Sequence, residues 1–225
     1  MTRNFQFGTG EYYHLYNRGT DKRETFLNDH DRTRFIMLLY LCNTENALDI
    51  RELFISGISV TDIFNVNRGK LLVKIGAYCL MPNHFHLLVQ EFSDKGLGIS
   101  KFMQKLNTAY TMYFNKKYDR TGALFQGRFK AKHAHTDEYL KYLFAYIHLN
   151  PVKLIEPNWK ESGIQKMRKA NSFLDGYRFS SYKEYTGESR PEKTILARET
   201  FPTYFPNTCD FDSFIRLYLE FSNEG

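Results

Sequence analysis

Two histidines separated by one residue, His84 and His86, sit inside the apolar run Leu80-Met81-Pro82-Asn83-His84-Phe85-His86-Leu87-Leu88-Val89. Alternation along a strand puts both imidazoles on one face and Phe85 and Leu87 on the other. Two neighbouring ring nitrogens can hold a divalent metal ion. The same spacing also describes structural histidines that hydrogen-bond within a sheet, so the pair alone leaves both readings open. A second stretch, Tyr139 to Val152, adds a different chemistry. Thr136 as N-cap, Asp137 and Glu138 in the first turn and Pro151 at the far end predict a helix there. Tyr146 and Asn150 lie four apart on it and share a face. One is a phenol able to attack, the other an amide whose oxygen can complete a metal's ligand set. A core stripe of Tyr139, Leu143, Tyr146 and Ile147 is the competing account of that periodicity.

Taken together, the two stretches resemble the HUH single-tyrosine transposases, and within them the REP-associated tyrosine transposases. The resemblance lies in Leu80 to Val89 and in Tyr146-Ile147-His148-Leu149-Asn150-Pro151-Val152. It extends to Tyr16-Asn17-Arg18-Gly19, Leu124-Phe125-Gln126-Gly127-Arg128-Phe129-Lys130 and Ser180-Ser181-Tyr182, all in the family's order over roughly residues 10 to 187. The insertion-element branch typically has Gln where this chain has Asn150, which leans the resemblance toward the REP-associated branch.

The resemblance implies a metal-dependent endonuclease and strand transferase for single-stranded DNA. His84 and His86 carry over as the metal pair, Asn150 as the third ligand and Tyr146 as the nucleophile. A 5′-phosphotyrosine intermediate with a free 3′-hydroxyl is implied, so the bond energy is kept for rejoining and no ATP is needed. A metal on a phosphate oxygen would neutralise charge and orient phosphorus for in-line attack. Family behaviour points to Mg2+ or Mn2+, although two imidazoles by themselves suit a transition metal better. Repeat or hairpin DNA and a second copy of the chain, forming a homodimer, are the expected partners. A non-catalytic ferredoxin-like nucleic-acid-binding protein is the alternative from another class. A histidine-triad hydrolase would need a further histidine at position 88, which is Leu.

These residues need a scaffold to carry them. Tyr12 to Asn17 reads as a first strand. Asp29 or Asp31 is positioned to cap a helix carrying Phe35, Ile36, Leu38, Leu39 and Cys42. Residues 49–72 read as an insertion with a short helix. Leu71 to Leu80 is a strand that turns at Pro82-Asn83 into the histidine strand. Ile99, Phe102, Met103, Leu106, Tyr110, Tyr113 and Phe114 recur at helical spacing, and Gly127 to His135 alternates as a fourth strand. The order predicts an α+β protein with a ferredoxin-like βαββαβ sheet, helices on one face, and the Tyr146 helix appended as a C-terminal nucleophile helix. Residues 1–187 would form the transposase-like domain. Residues 188–225, with Pro191, Pro202, Pro206 and a weak helix from Phe211 to Phe221, would form a C-terminal extension.

Charge is unevenly spread. The chain carries a net +6, yet between Lys101 and His135 eight basic residues face only Asp119, a net +7, so the remainder is close to neutral. Such a block tracks phosphates or is a solvated surface. Arg18, Lys101, Lys105, Arg128, Lys130 and Lys132 are the candidate DNA contacts. His133 and His135 form a second His-x-His pair, read as part of a basic strand facing DNA. His148 falls about 200° around the helix from Tyr146 and off its face, and His14 and His30 show no partner. Three scattered cysteines give no disulfide or zinc spacing, and no run approaches membrane-spanning length. No membrane partner and a cytoplasmic location are therefore expected.

Overall fold

The computed structural model describes residues 6–46 and 48–221. Four strands, β1 (Tyr12–Arg18), β2 (Val73–Met81), β3 (His84–Glu91) and β4 (Lys130–His133), form one antiparallel sheet in the order β2-β3-β1-β4. Helix α1 (Asp29–Leu41) and a short α2 (Ile50–Ile55) lie between β1 and β2, and α3 (Gly98–Lys117) lies between β3 and β4. Helix α4 (Asp137–Leu149) follows β4. After it come α5 (Trp159–Ser162), α6 (Met167–Gly176), α7 (Tyr182–Tyr185) and α8 (Thr208–Phe221). The protein is a mixed α/β fold.

Alternation along β3 divides the molecule into two cores. Phe85, Leu87 and Val89 join Tyr13, Leu15, Tyr78 and Leu80 against α1 and α3. Leu88, with Ala77, Cys79 and Met81, faces α4 and the segments that follow it. A bulge between Ile75 and Ala77 shifts the alternation of β2 by one residue, so that Ile75 and Tyr78 share the first layer and Ala77 joins the second. Phe205, Phe211 and Ile215 belong to the same buried cluster as Leu143, Phe144 and Ile147, so the chain beyond residue 188 packs onto α4.

Two buried carboxylates hold the first layer in place. Glu91, at the end of β3, accepts the Gly98 and Ile99 amides at 3.0 and 2.9 Å and so satisfies the otherwise unpaired N-terminus of α3. Gly98 is needed there, because a Cβ would lie 2.1 Å from the Leu72 carbonyl oxygen. Asp31 is fully buried and accepts from Lys117 at 2.7 Å, Tyr118 at 2.7 Å and Tyr113 at 2.9 Å, tying α1 to the end of α3. Burial works to raise its pKa, but hydrogen bonds from Lys117, Tyr118 and Tyr113 prevail and hold it below the ordinary carboxylate value. The N-cap of α1 is therefore neither Asp29 nor Asp31. Asn28 caps it, accepting the Asp31 amide at 3.1 Å.

Other boundaries differ from the sequence reading for local reasons. Strand β4 is shorter than Gly127 to His135, since Gly127 has a positive φ of 67° and pairing with β1 covers only residues 130–133. Helices α5 to α7 occupy a stretch where the sequence reading places no element, although α6 buries Ala170 and Leu174 at helical spacing. Ser180-Ser181-Tyr182 fastens that stretch to the β2 edge. Ser181 accepts the Tyr78 amide through Oγ at 3.0 Å and donates its own amide to Tyr78 O at 3.0 Å. No helix among the described residues is long and apolar enough to cross a membrane.

His148 is fully buried and bonded to Phe144 O and Ser181 Oγ, both at 2.8 Å. Burial drives its pKa down to about 3, so the folded protein keeps it neutral while the unfolded chain protonates near 6.5. Its contribution to stability is complete above pH 6.5 and is lost as pH falls toward 3. Chemical denaturation of wild type and His148→Gln should show their stability difference narrowing by about 1.4 kcal/mol per pH unit from 6.5 toward 5. A difference independent of pH would contradict this.

Candidate active site

His84 and His86 stand on the α4 face of the sheet, opposite Arg18 and Tyr16 of β1 in the pairing register. Their rings are 5.0 Å apart at 89°. Both are held through Nδ1. The His84 Nδ1 is 2.6 Å from Asn83 Oδ1, and the His86 Nδ1 is 2.8 Å from Nε2 of His14. The Asn83 oxygen can only accept, so His84 donates from Nδ1 and keeps its lone pair on Nε2; His86 does the same in the tautomer in which it, and not His14, carries the shared proton.

Those outer partners are themselves anchored. Asn83 occupies the two-residue turn between β2 and β3, and its Nδ2 donates to Lys22 O at 3.0 Å. Its carbonyl accepts the Gly19 amide at 2.8 Å, while Pro82 O accepts from Thr25 and Phe26 at 2.9 and 3.1 Å. The loop after β1 thus clamps the hairpin tip from which His84 projects. Nothing in the sequence ranked Asn83 above an ordinary turn residue, and His14 had no visible partner. The signal for His14 lay in the register of β1 on β3, where Tyr16 pairs with His86 and the next residue on that face is His14.

Tyr146 arrives from the other layer of the same chain. Its ring lies 5.4 Å from that of His86 at 83° and 5.5 Å from that of His14 at 72°, edge-on to both. Thr136 caps the helix that carries it, accepting the Tyr139 amide at 3.1 Å. Asn150, one turn on, is 1% exposed and donates from Nδ2 to Tyr146 O at 2.7 Å, which turns its Oδ1 away from that carbonyl. Burial and the neighbouring Tyr142 raise the Tyr146 pKa above 10, while a side-chain hydrogen bond with Asn150 works to lower it. His148 points into the core instead, as its angle from Tyr146 requires.

Beside the hairpin tip opens a cleft of about 550 Å³ lined by Tyr16, Arg18, Glu24, His84, Lys130 and Lys153, among others. The basic block of the sequence is split by the fold. Lys130 and Lys132 pair with Tyr16 and His14 and share the histidine face, and Arg128 is exposed just before them. Lys101 and Lys105 belong to α3, under the opposite face. Lys101 is exposed, whereas Lys105 donates to Thr44 O and Asn46 O at 2.7 and 2.9 Å. Alternation also separates His133 from the β4 lysines. It stacks on Tyr13 at 5.0 Å and meets Glu11 at 2.7 Å, so it does not belong to a DNA-facing row with them.

The family model described as "Transposase IS200 like" matches residues 10–150, from the start of β1 through Asn150 and well over half of the chain. The chain belongs to this family. Membership makes this IS200-like chain a transposase-type, DNA-processing protein, and the matched span contains His14, Asn83, His84, His86, Tyr146 and Asn150. A comparison with curated proteins gives no match. A solved structure described as "Structure of the REP associates tyrosine transposase bound to a REP hairpin" is similar at 15% identity, over 90% of this chain and 88% of that chain, with a TM-score of 0.49.

The opposed influences on Tyr146 predict that its phenol titrates above 10, and that Asn150→Ala moves the midpoint higher still. Carbon-13 NMR of ring-labelled tyrosine, with the resonance assigned by Tyr146→Phe, measures both. A midpoint that Asn150→Ala leaves unchanged would show that the amide does not reach the phenol.

Proposed function

We propose that this chain nicks and rejoins single-stranded DNA through attack of Tyr146, with His84, His86 and Asn150 holding a divalent metal. The observation that carries this reading is the placement of the Tyr146 ring 5.4 Å from that of His86 within one chain. The strand order, with helices between β1 and β2 and between β3 and β4, is read as the ferredoxin-like arrangement.

The donor set suits such an ion. Among the described residues no group of three or more His, Cys, Asp or Glu could hold a metal, and the third protein donor that the sequence resemblance implies is the Asn150 amide oxygen. Two imidazoles plus an amide leave room for phosphate oxygens and water, as Mg2+ or Mn2+ requires. The bound ion would neutralise charge on a phosphate oxygen and make phosphorus more electrophilic.

The remaining work falls to the protein's own groups. The Tyr146 oxygen forms a bond to phosphorus as the bond from phosphorus to the 3′-oxygen breaks. The phenol gives up its proton and the departing 3′-oxygen gains one. Because the phenol pKa is raised, Tyr146 is not a standing phenolate near neutral pH and must be deprotonated as it attacks. The phosphotyrosine's 5′-phosphate retains the energy for rejoining. Arg18 and Lys130, which line the cleft with His84, would seat the flanking phosphates. Repeat or hairpin DNA is the substrate class that the sequence resemblance favours. A second copy of the chain is not needed to bring Tyr146 to the histidines, so the reading is of action in cis.

Tyr146→Phe should form no covalent adduct with labelled single-stranded DNA while binding it normally. Mixing it with the double variant His84→Ala, His86→Ala should restore none. Adduct in the first variant would move the nucleophile to Tyr142 or Tyr139, and adduct in the mixture would assign the site to two chains. Replacing His14 by Phe frees the His86 ring and should weaken Mn2+ binding, measured by calorimetry, by about 10- to 100-fold. Unchanged affinity would remove His14 from the support of the site.

A further inference from the structure

Helix α4 carries Tyr139, Tyr142 and Tyr146 at spacings of three and four, which places them along one side. Their rings form a continuous row. Tyr139 and Tyr142 are 6.1 Å apart at 25°, and Tyr142 and Tyr146 are 5.9 Å apart at 43°. One end of the row meets the His86 ring and the other meets His135, 6.4 Å from Tyr139.

A core stripe accounts for only part of this row, since Tyr139 and Tyr146 lean on the buried cluster but Tyr142 does not belong to it. The helix gives Leu143, Phe144 and Ile147 to the buried cluster, whereas Tyr142 is 37% exposed and Tyr139 and Tyr146 are half-buried. Tyr218 of α8, 5.8 Å from Tyr142, walls one flank. The edge strand β4 forms the other, and its alternation turns Lys130 and Lys132 to the same face. The Lys132 ammonium sits 4.4 Å over the Tyr139 ring. Two acids, Asp137 and Glu138, lie in the first turn of α4, just before Tyr139. Of these, Asp137 accepts a hydrogen bond from the Tyr204 hydroxyl.

Partly exposed aromatic faces beside a line of cations suit a single-stranded polyanion whose bases are unpaired, because every base offers a π face and every linkage a negative charge. An acidic protein surface could pair with the lysines but would not bring a stackable flat base beside each charge. The row is also continuous with the proposed nucleophile, so whatever lies on it leads directly into the reacting centre.

We propose that Tyr139 and Tyr142 form a stacking platform for the unpaired bases next to the scissile phosphate, with Lys130 and Lys132 following the backbone. The flexible stem of Lys132 lets its ammonium pass from the Tyr139 ring to a phosphate. The platform rests on the reading of Tyr146 as nucleophile for its purpose, but its test does not depend on cleavage. Binding is measured in the full chain carrying Tyr146→Phe, by fluorescence anisotropy with a labelled, unstructured oligothymidine and with a fully paired duplex of the same length. Adduct formation by the wild type decides the nucleophile separately.

Tyr142→Leu and Tyr139→Leu should each weaken oligothymidine binding roughly 5- to 100-fold while changing duplex binding by less than about twofold, and Tyr142→Phe should bind like the parent. Thermal melts identify any variant that fails to fold, in which case the remaining leucine variant decides. Parent-like affinity in the leucine variants overturns the platform. So does an equal loss in Tyr142→Phe, which would point to the hydroxyl, and so does a parent that does not bind oligothymidine.

Discussion

The antiparallel register of β1 and β2 on β3 is the constraint on which the rest depends. Shifting β3 by one residue would turn His84 and His86 from the α4 face to the face occupied by α1 and α3, and would bring Phe85 and Leu87 out in their place. The apolar pattern resists such a slip. Phe85, Leu87 and Val89 are fully buried in the first layer, and Leu88 is fully buried in the second. The same register sets Tyr16 opposite His86 and Arg18 opposite His84. The face on which His84, His86, Tyr16 and Arg18 stand is thus fixed by the hydrophobic packing of residues that do no chemistry.

Around that register the molecule immobilises its histidines from both sides. The loop after β1 closes on the Pro82-Asn83 turn and orients His84, while His14 reaches along the sheet to His86. Each ring is held at Nδ1, so neither has to search rotamers to present Nε2. Tyr146 and Asn150 come from an independently stabilised element, a capped helix whose opposite side is sealed by Phe205, Phe211 and Ile215. The C-terminal segment therefore supports the position of Tyr146, since α4 would otherwise expose Phe144 and Ile147 to solvent.

The charge distribution follows the same division of labour. Lys105 and Lys117 serve the first layer, one holding the carbonyls after α1 and the other neutralising the buried Asp31. Lys130 and Lys132 remain on the histidine face, where the edge position of β4 leaves them next to the tyrosines of α4. A basic stretch that looks continuous in sequence thus divides into internal clamps and a short external line.

What the sequence determined by itself is local. Strand alternation put His84 and His86 on one face, helical spacing put Tyr146 and Asn150 on another, and Thr136, Asp137, Glu138 and Pro151 marked the ends of α4. The order of elements followed from the same periodicities. What only tertiary structure decided is which distant groups meet. His14 and His86 are 72 residues apart in the chain, and neither strand's pattern reveals its partner strand. The Asp31 ion pair, the division of the basic block and the helices between α4 and α8 were hidden for the same reason. Local periodicity reports which face a side chain occupies, but the surface that face will touch depends on strand pairing and on packing between layers.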